Sequence, residues 1–262
     1  MTLRKSLKRW LYGSCPGFAG SFPYFGVEVF FPPRSESFYA ACEQGIYEAD
    51  IARLLQKLAR PSTHVFDVGA NIGLMAIPVL QNCQDCSVVS FEPSPSSLPY
   101  LRRTVSGSGY ADRWRLVEKA LSDREGELDF AVCRPQDSLY EGFRSSGRLT
   151  GAQMVKVPVG TLDEEWKRLG RPDVSVIKVD VEGAESLVLQ GGVELIHTCR
   201  PHLVVEWYAD HLQAFSVPAD DLLRIAQRHG YGIYSIPHIV PVSDARSLSA
   251  QMLMCWNFLL SP

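Results

Sequence analysis

From Val65 to Leu121 short apolar stretches alternate with longer stretches of helical periodicity, and this rhythm leaves few folds open. VFDV (65–68), SVVSFE (87–92) and RLVEKAL (115–121) read as strands. Ile72 to Leu80 and Leu98 to Val105 read as helices, the second with Leu98, Leu101 and Val105 on one face. Strands separated by helices run parallel, because each crossover returns the chain to the same end of the sheet, and the helices cover both faces. The expectation is therefore an α/β, doubly wound fold. Pro78, inside the first crossover helix, predicts a kink or a shortened helix there, since it removes one backbone donor.

The flanks fit the same plan. Ile51, Leu54, Leu55 and Leu58 share a helical face that Pro61 ends. Upstream, Gly13 to Pro33 is rich in Pro, Gly and aromatic residues and reads as an irregular lead-in, so residues 1–46 are taken as an N-terminal extension and residues 47–262 as the main domain. Downstream, ELDFAVC and MVKVPVG predict two strands around a long polar insertion, residues 134–153. Thr161 and Glu164 have capping-box spacing. VSVIKVDVEG (174–183) is the most apolar strand and so the most central. A helix near 184–190, the strand HLVVEW (202–207) and a helix over 220–229 closed by Gly230 follow. YGIYSI (231–236) and CWNFLL (255–260) are joined by a segment without a convincing helix, so they are expected to pair antiparallel.

Composition narrows the function classes. With 262 residues, 46% of them hydrophobic, the chain can build one sizeable core, and a net charge of -3 argues against a protein that coats nucleic acid. The exception is the start, where Arg4, Lys5, Lys8 and Arg9 precede any acid. It reads as a solvated turn, with weak contact to an anionic membrane or polymer as the other option. Nothing approaches the roughly twenty apolar residues of a membrane span, and the expected location is the cytoplasm. Seven scattered cysteines do not form a disulfide framework, and Cys83 and Cys86 lack the further ligands of a zinc site.

The chemistry concentrates at FDVGANIG (66–73). A strand ending in Asp67 and entering Gly69, Ala70, Asn71 and Gly73 lets a ligand approach backbone closely at a helix start. The glycine spacing is not that of the dinucleotide fingerprint, a carboxylate at the strand tip is unhelpful beside a pyrophosphate, and no P-loop pattern occurs. Glu92, ending the next strand, is placed to accept hydrogen bonds from both ribose hydroxyls. Together these features fit an adenosine ligand with positive charge and no phosphate, and S-adenosylmethionine has that shape.

FDVGANIG, FEP (91–93), KALSD (119–123), TLD (161–163), IKVDVEGAE (177–185) and RPHLVVE (200–206), in that order and spacing, resemble the FkbM-family methyltransferases, DVEGAE being the most specific element. The resemblance covers roughly Tyr47 to Trp207. It implies a class I methyltransferase (Rossmann-like) fold with a mostly parallel seven-stranded sheet whose last strand is antiparallel, and S-adenosylmethionine-dependent O-methylation of a sugar, polyketide or similar hydroxyl. It implies that Asp67, Gly69, Asn71 and Gly73, with Ala70 in the same turn, hold the amino-acid part of the cofactor, Glu92 the ribose, Ala120 the adenine side, and that Glu48 is a further contact.

Asp180, Glu182 and Glu206 occupy strand ends, where sites of open α/β sheets lie. They can counter a sulfonium charge, take a hydroxyl proton or bind a divalent cation, or one of them can instead cap the helix beginning near Ala184. Asp180 is also counted among the cofactor contacts. His64, His202 and His238 are weaker candidates for a base. The acceptor is expected at the lead-in and at the 134–153 loop, with Arg144 and Arg148. A nicotinamide dehydrogenase and a non-catalytic cofactor- or glycan-binding module are the competing readings. Metal dependence and oligomeric state stay open.

Overall fold

The computed structural model describes residues 20–32, 35–132 and 153–262. The basic start, the 134–153 loop with Arg144 and Arg148, and Cys15 and Cys133 lie outside these or at their edge. In chain order the elements are β1 (Gly20–Tyr24), β2 (Val27–Phe31), α1 (Glu36–Gln44), α2 (Ala49–Leu58), β3 (His64–Val68), α3 (Ala76–Asn82), β4 (Ser87–Phe91) and α4 (Leu98–Gly107). They continue with β5 (Trp114–Val117), β6 (Ala120–Leu121), β7 (Gly126–Val132), β8 (Gln153–Gly160), α5 (Leu162–Arg168), β9 (Val174–Val179), α6 (Glu185–Gln190) and α7 (Val193–Cys199). The last are β10 (His202–Glu206), α8 (Ala209–Ala214), α9 (Asp221–His229), β11 (Gly232–Ser235), β12 (Val240–Val242), α10 (Ala245–Met252) and β13 (Asn257–Ser261).

The main sheet has the order β12-β11-β13-β10-β9-β3-β4-β5. β3, β4, β5, β9 and β10 run parallel, and β13 lies antiparallel between β10 and β11. This is the expected doubly wound sheet with a reversed last strand, extended by an eighth strand, β12, at one edge. β9 is buried at every position, as its unbroken apolar run demands of a strand covered on both faces. The strand order reverses between β3 and β9, which is where a parallel sheet opens a crevice at its carboxyl ends.

Several local expectations are corrected. RLVEKAL is not one strand: after Val117 the polar pair Glu118–Lys119 carries the chain out of the main sheet, and Ala120–Leu121 pairs with β8 in a separate three-stranded sheet with β7. α3 begins at Ala76 rather than Ile72, so Pro78 falls in its first turn, where no helical partner for a backbone N–H is required. The segment before β13 does contain a helix, α10, opened by a capping box between Asp244 and Ser247. α7 and α8 were not anticipated either, both being too short for a clear period.

The lead-in is not irregular throughout. Its described part forms the β1–β2 hairpin, and Phe22, Phe31 and Phe38 pack together, with Phe31 and Phe38 stacked at 4.0 Å. Phe30 N donates to Thr104 Oγ1 of α4, and the Arg103 guanidinium lies over the Phe30 ring. Phe22, Phe31 and Phe38 share one core cluster with Ile51, Ile72, Ile77 and Val176.

Gly73 belongs to this packing. It has φ +88°, and a Cβ there would meet Trp114 at 2.7 Å and Leu101 at 2.9 Å. Gly73→Ala is expected to cost about 1–3 kcal/mol through overpacking and about 1 kcal/mol more through the left-handed backbone, read by urea denaturation. Unchanged stability would remove this packing role.

Candidate functional site

The carboxyl ends of β3, β4, β9 and β10 converge because their registers match: Val68 pairs with Phe91 and Val179, and Val205 with Val179. The residues that follow, Gly69, Glu92, Asp180 and Glu206, are thereby brought side by side. They line a cavity of about 290 Å³ together with Glu48, Ala70, Asn71, Ala120 and Glu182. Of the residues expected at the site, Asp67 and Gly73 do not reach the cavity wall.

Two motifs interlock at the centre. Gly69 has φ +83°, and a Cβ there would lie 1.8 Å from the Asp180 carbonyl oxygen, so only glycine permits this approach. Asp180 N in turn donates to Val68 O. The turn is then latched by Glu92, whose two oxygens accept from Asn71 N at 2.7 Å and Ser94 N at 2.8 Å. Asn71 takes a left-handed conformation, φ 51°, and its buried Oδ1 has no protein partner. A buried acceptor without a partner in a cavity wall is a place for a ligand's donor.

Beneath the wall, Asp67 is 2% exposed and neither carboxylate oxygen has a hydrogen bond. Its countercharge is Lys178, one strand over in β9, with Nζ 3.8 Å from Asp67 Oδ1 and 3.0 Å from Asp180 Oδ2. Burial acts to lower the Lys178 ammonium's pKa, but Asp180, Asp67 and Glu48 more than offset it, so the group stays charged.

The acids exceed this one cation, and their protonation shows it. Burial, with Asp180 beside it, pushes Glu48 up to about 7, Lys178 counteracting. Burial and then Glu206 and Asp180 push Glu182 up to about 10. Glu206 is likewise raised well above the ordinary carboxylate range, by burial and then Asp180. A cavity that strains to discharge its own carboxylates favours a cationic ligand. The second lysine in its wall, Lys119, is engaged by Glu165 at 2.7 Å.

In DVEGAE the turn-fixing acid is Glu185, not one of the three expected acids: its Oε1 accepts from Val181 N at 2.9 Å and Gly183 N at 3.1 Å. Glu182, in a left-handed conformation with φ 60°, points back toward Glu206, and His211 of α8 lies between them. His211 Nε2 is 3.1 Å from Glu182 Oε2 and Nδ1 is 3.1 Å from Glu206 Oε2. The three residues offer atoms within 4.8 Å of one another, but each carboxylate engages a different edge of the imidazole.

Sequence reasoning leaves Lys178 and His211 without a role. Lys178 sits inside a quoted motif, where a cation on an otherwise apolar buried strand is itself a signal. His211 follows a strand tip that ends in an acid. The histidines that were considered do not join the site: His64 and His202 open β3 and β10 at the opposite end of the sheet, and His238 is exposed. At the cavity mouth Tyr208 and Trp256 stand 4.9 Å apart, Trp256 being 55% exposed.

Residues 67–233 match the family described as Methyltransferase FkbM domain. The chain is 29% identical over 166 residues to 2-O-methyltransferase NoeI of Sinorhizobium fredii, covering 56% of this chain and 65% of that protein. It is 28% identical over 162 residues to hexuronic acid methyltransferase AglP of Haloferax volcanii, covering 62% and 63%. It is 29% identical over 157 residues to ribosomal RNA small subunit methyltransferase G of Mycobacterium leprae, covering 58% and 61%. The chain thus spans somewhat under two thirds of the length of these relatives. Among the described residues no helix is long and apolar enough to cross a membrane.

Lys178→Met should destabilise the fold by about 3–5 kcal/mol, because it strands Asp67 as a buried acid without a countercharge. Adding Asp67→Asn should recover part of that loss in a double-mutant cycle read by urea denaturation. Strict additivity of the two changes would show that the pair does not interact.

Proposed function

We propose, from the premise that this chain belongs to the FkbM methyltransferase family, that it transfers a methyl group from S-adenosylmethionine to a hydroxyl of a sugar or related metabolite. The observation that carries the reading is the cavity at the carboxyl ends of the sheet, rich in acids and with both lysines of its wall engaged by carboxylates. Such a site suits a sulfonium and a nucleoside without phosphate. The same acids oppose a polyanion, so a nucleic-acid acceptor is not proposed although one relative is named for ribosomal RNA. The names of two other relatives, a 2-O-methyltransferase and a hexuronic acid methyltransferase, support a carbohydrate.

In this reading the backbone of Gly69 and Ala70 and the side-chain oxygen of Asn71 hold the amino-acid end of the cofactor. Glu92, whose oxygens latch the turn, stands at the tip of β4 to meet the ribose hydroxyls. Ala120 and Phe130 flank the adenine, both being in the wall and both on the small sheet. Glu48 and Asp180 face the cationic centre. Bound S-adenosylmethionine supplies an electrophilic methyl carbon with a thioether as its leaving group. The acceptor enters between the Tyr208–Trp256 mouth and the Glu182–Glu206 wall, and holding its oxygen in line with the methyl carbon and sulfur supplies much of the rate. Asp67 and Gly73 act by supporting this wall rather than by touching the ligand.

Tritium transfer from methyl-labelled S-adenosylmethionine into a panel of hexuronates, hexosides and oligoribonucleotides tests the acceptor class. Label in a glycoside supports the proposal. Label in the oligoribonucleotides alone overturns it, and label in nothing, despite cofactor binding, makes the chain a binding module.

The charge argument has its own check. A sulfonium stabilises ionised Glu48, so S-adenosylmethionine affinity should rise by up to about tenfold between pH 6 and 8, as Glu48 ionises near 7. S-adenosylhomocysteine has the same amino-acid end and no sulfonium, so its affinity should rise less. Calorimetry showing equal pH dependence for the two ligands would remove the electrostatic role of Glu48.

A further inference from the structure

The proton released by an O-methyl transfer needs a destination, and the acids of the cavity wall do not provide one unaided. Glu182 faces the cavity, yet burial and then the neighbouring carboxylates push it up to about 10, so without a partner to draw its proton away it accepts none. What distinguishes it from Asp180 and Glu48 is its partner. His211 reaches Glu182 with one ring nitrogen and Glu206 with the other, both at 3.1 Å. A neutral imidazole donates through only one nitrogen, so both contacts are satisfied only if the three residues together hold an additional proton.

The arrangement is fixed by packing. A Cβ on Gly183 would lie 2.5 Å from the His211 carbonyl oxygen, so the turn that carries Glu182 is seated directly on the backbone of α8. Tyr208 sets its ring edge against the imidazole at 4.9 Å. His211 is 7% exposed, which keeps the shared proton from being taken by water.

We propose that Glu182, His211 and Glu206 form a proton relay in which Glu182 is the base that touches the acceptor and His211 is the positioning residue that frees it for that task. This rests on the methyl-transfer reading above. With the proton drawn to His211 Nε2, Glu182 is a carboxylate and Glu206 anchors the Nδ1–H side. The acceptor oxygen forms its bond to the methyl carbon, the carbon–sulfur bond breaks with its electron pair kept by sulfur, and the hydroxyl proton passes to Glu182. That proton leaves to solvent once the products have dissociated. The charged and titratable groups that face the relay are Glu48 and Tyr47 before α2, Lys178 and Asp180 at β9, Glu185 of α6 and Tyr208 before α8. Lys178 is the one full cation among these.

The test is nitrogen NMR of the full chain carrying ¹⁵N-histidine, with and without S-adenosylhomocysteine. The relay predicts that at pH 7 the Nε2 signal of His211 lies off the unprotonated limit, and that Glu182→Gln moves it to that limit while Nδ1 stays protonated. Glu206→Gln should disturb Nδ1 first. An Nε2 already at the unprotonated limit, and unmoved by Glu182→Gln, overturns the relay. As a second reading, His211→Asn should lose at least about 100-fold in kcat with the acceptor found by tritium transfer, with a smaller change in KM. Retained kcat overturns the role of His211. If the wild type transfers label to nothing, the methyl-transfer reading fails, whereas the NMR result still decides whether the shared proton exists.

Discussion

One buried ammonium organises the site. Lys178 lies on the central strand with its charge between Asp67 beneath the cavity wall and Asp180 in it. Without it Asp67 would be a buried acid with no countercharge, and Asp180 would lose its ion pair. With it, Asp67 is tolerated at 2% exposure and Asp180 is left aimed at the cavity. The remaining acids, Glu48, Glu182 and Glu206, have no such partner and are correspondingly harder to ionise. The cavity is in this sense short of positive charge, which favours a cationic ligand.

The sheet was legible in the sequence because its signals are local: apolar runs of strand length, helical periods between them, and an unbroken run for the central strand. So were the strand-tip acids, since the end of a strand can be read from where its apolar run stops. The failures share a cause. Whether Asp67 faces a ligand or a lysine depends on the residue opposite it in a neighbouring strand more than a hundred positions away. Gly73 looks like a ligand-binding glycine until Trp114 is brought against it. His211 lies on a six-residue helix, too short to show a period, and only the seating of Gly183 on that helix brings it to Glu182.

The N-terminal part shows the same limit from the other side. The residues taken as an N-terminal extension reach the cavity, because α1 places Ser37 in its wall beside Tyr47 and Glu48, which precede α2. Pro, Gly and aromatic content suggested irregularity, whereas Phe22, Phe31 and Phe38 pack the hairpin on α1 and Phe30 ties it to Thr104 and Arg103 of α4. A short hairpin is marginal by itself, so this one derives its stability from docking, and its docking in turn fixes one side of the site.

The two glycines of the central motifs have the same logic. Gly69 brings the backbone of the first turn against the Asp180 carbonyl, and Gly183 brings the turn after Asp180 against the His211 carbonyl. Each replaces a side chain with a backbone contact, and the pair ties β3 to β9 and β9 to α8 in sequence. Asn71, Asp180, Glu182 and His211 are consequently placed by close backbone approach rather than by flexible side-chain packing. Catalytic geometry of this kind tolerates little displacement, since methyl transfer needs three atoms in line. In DVEG it is Gly183, seated on the His211 carbonyl, that sets the distance between Glu182 and the imidazole.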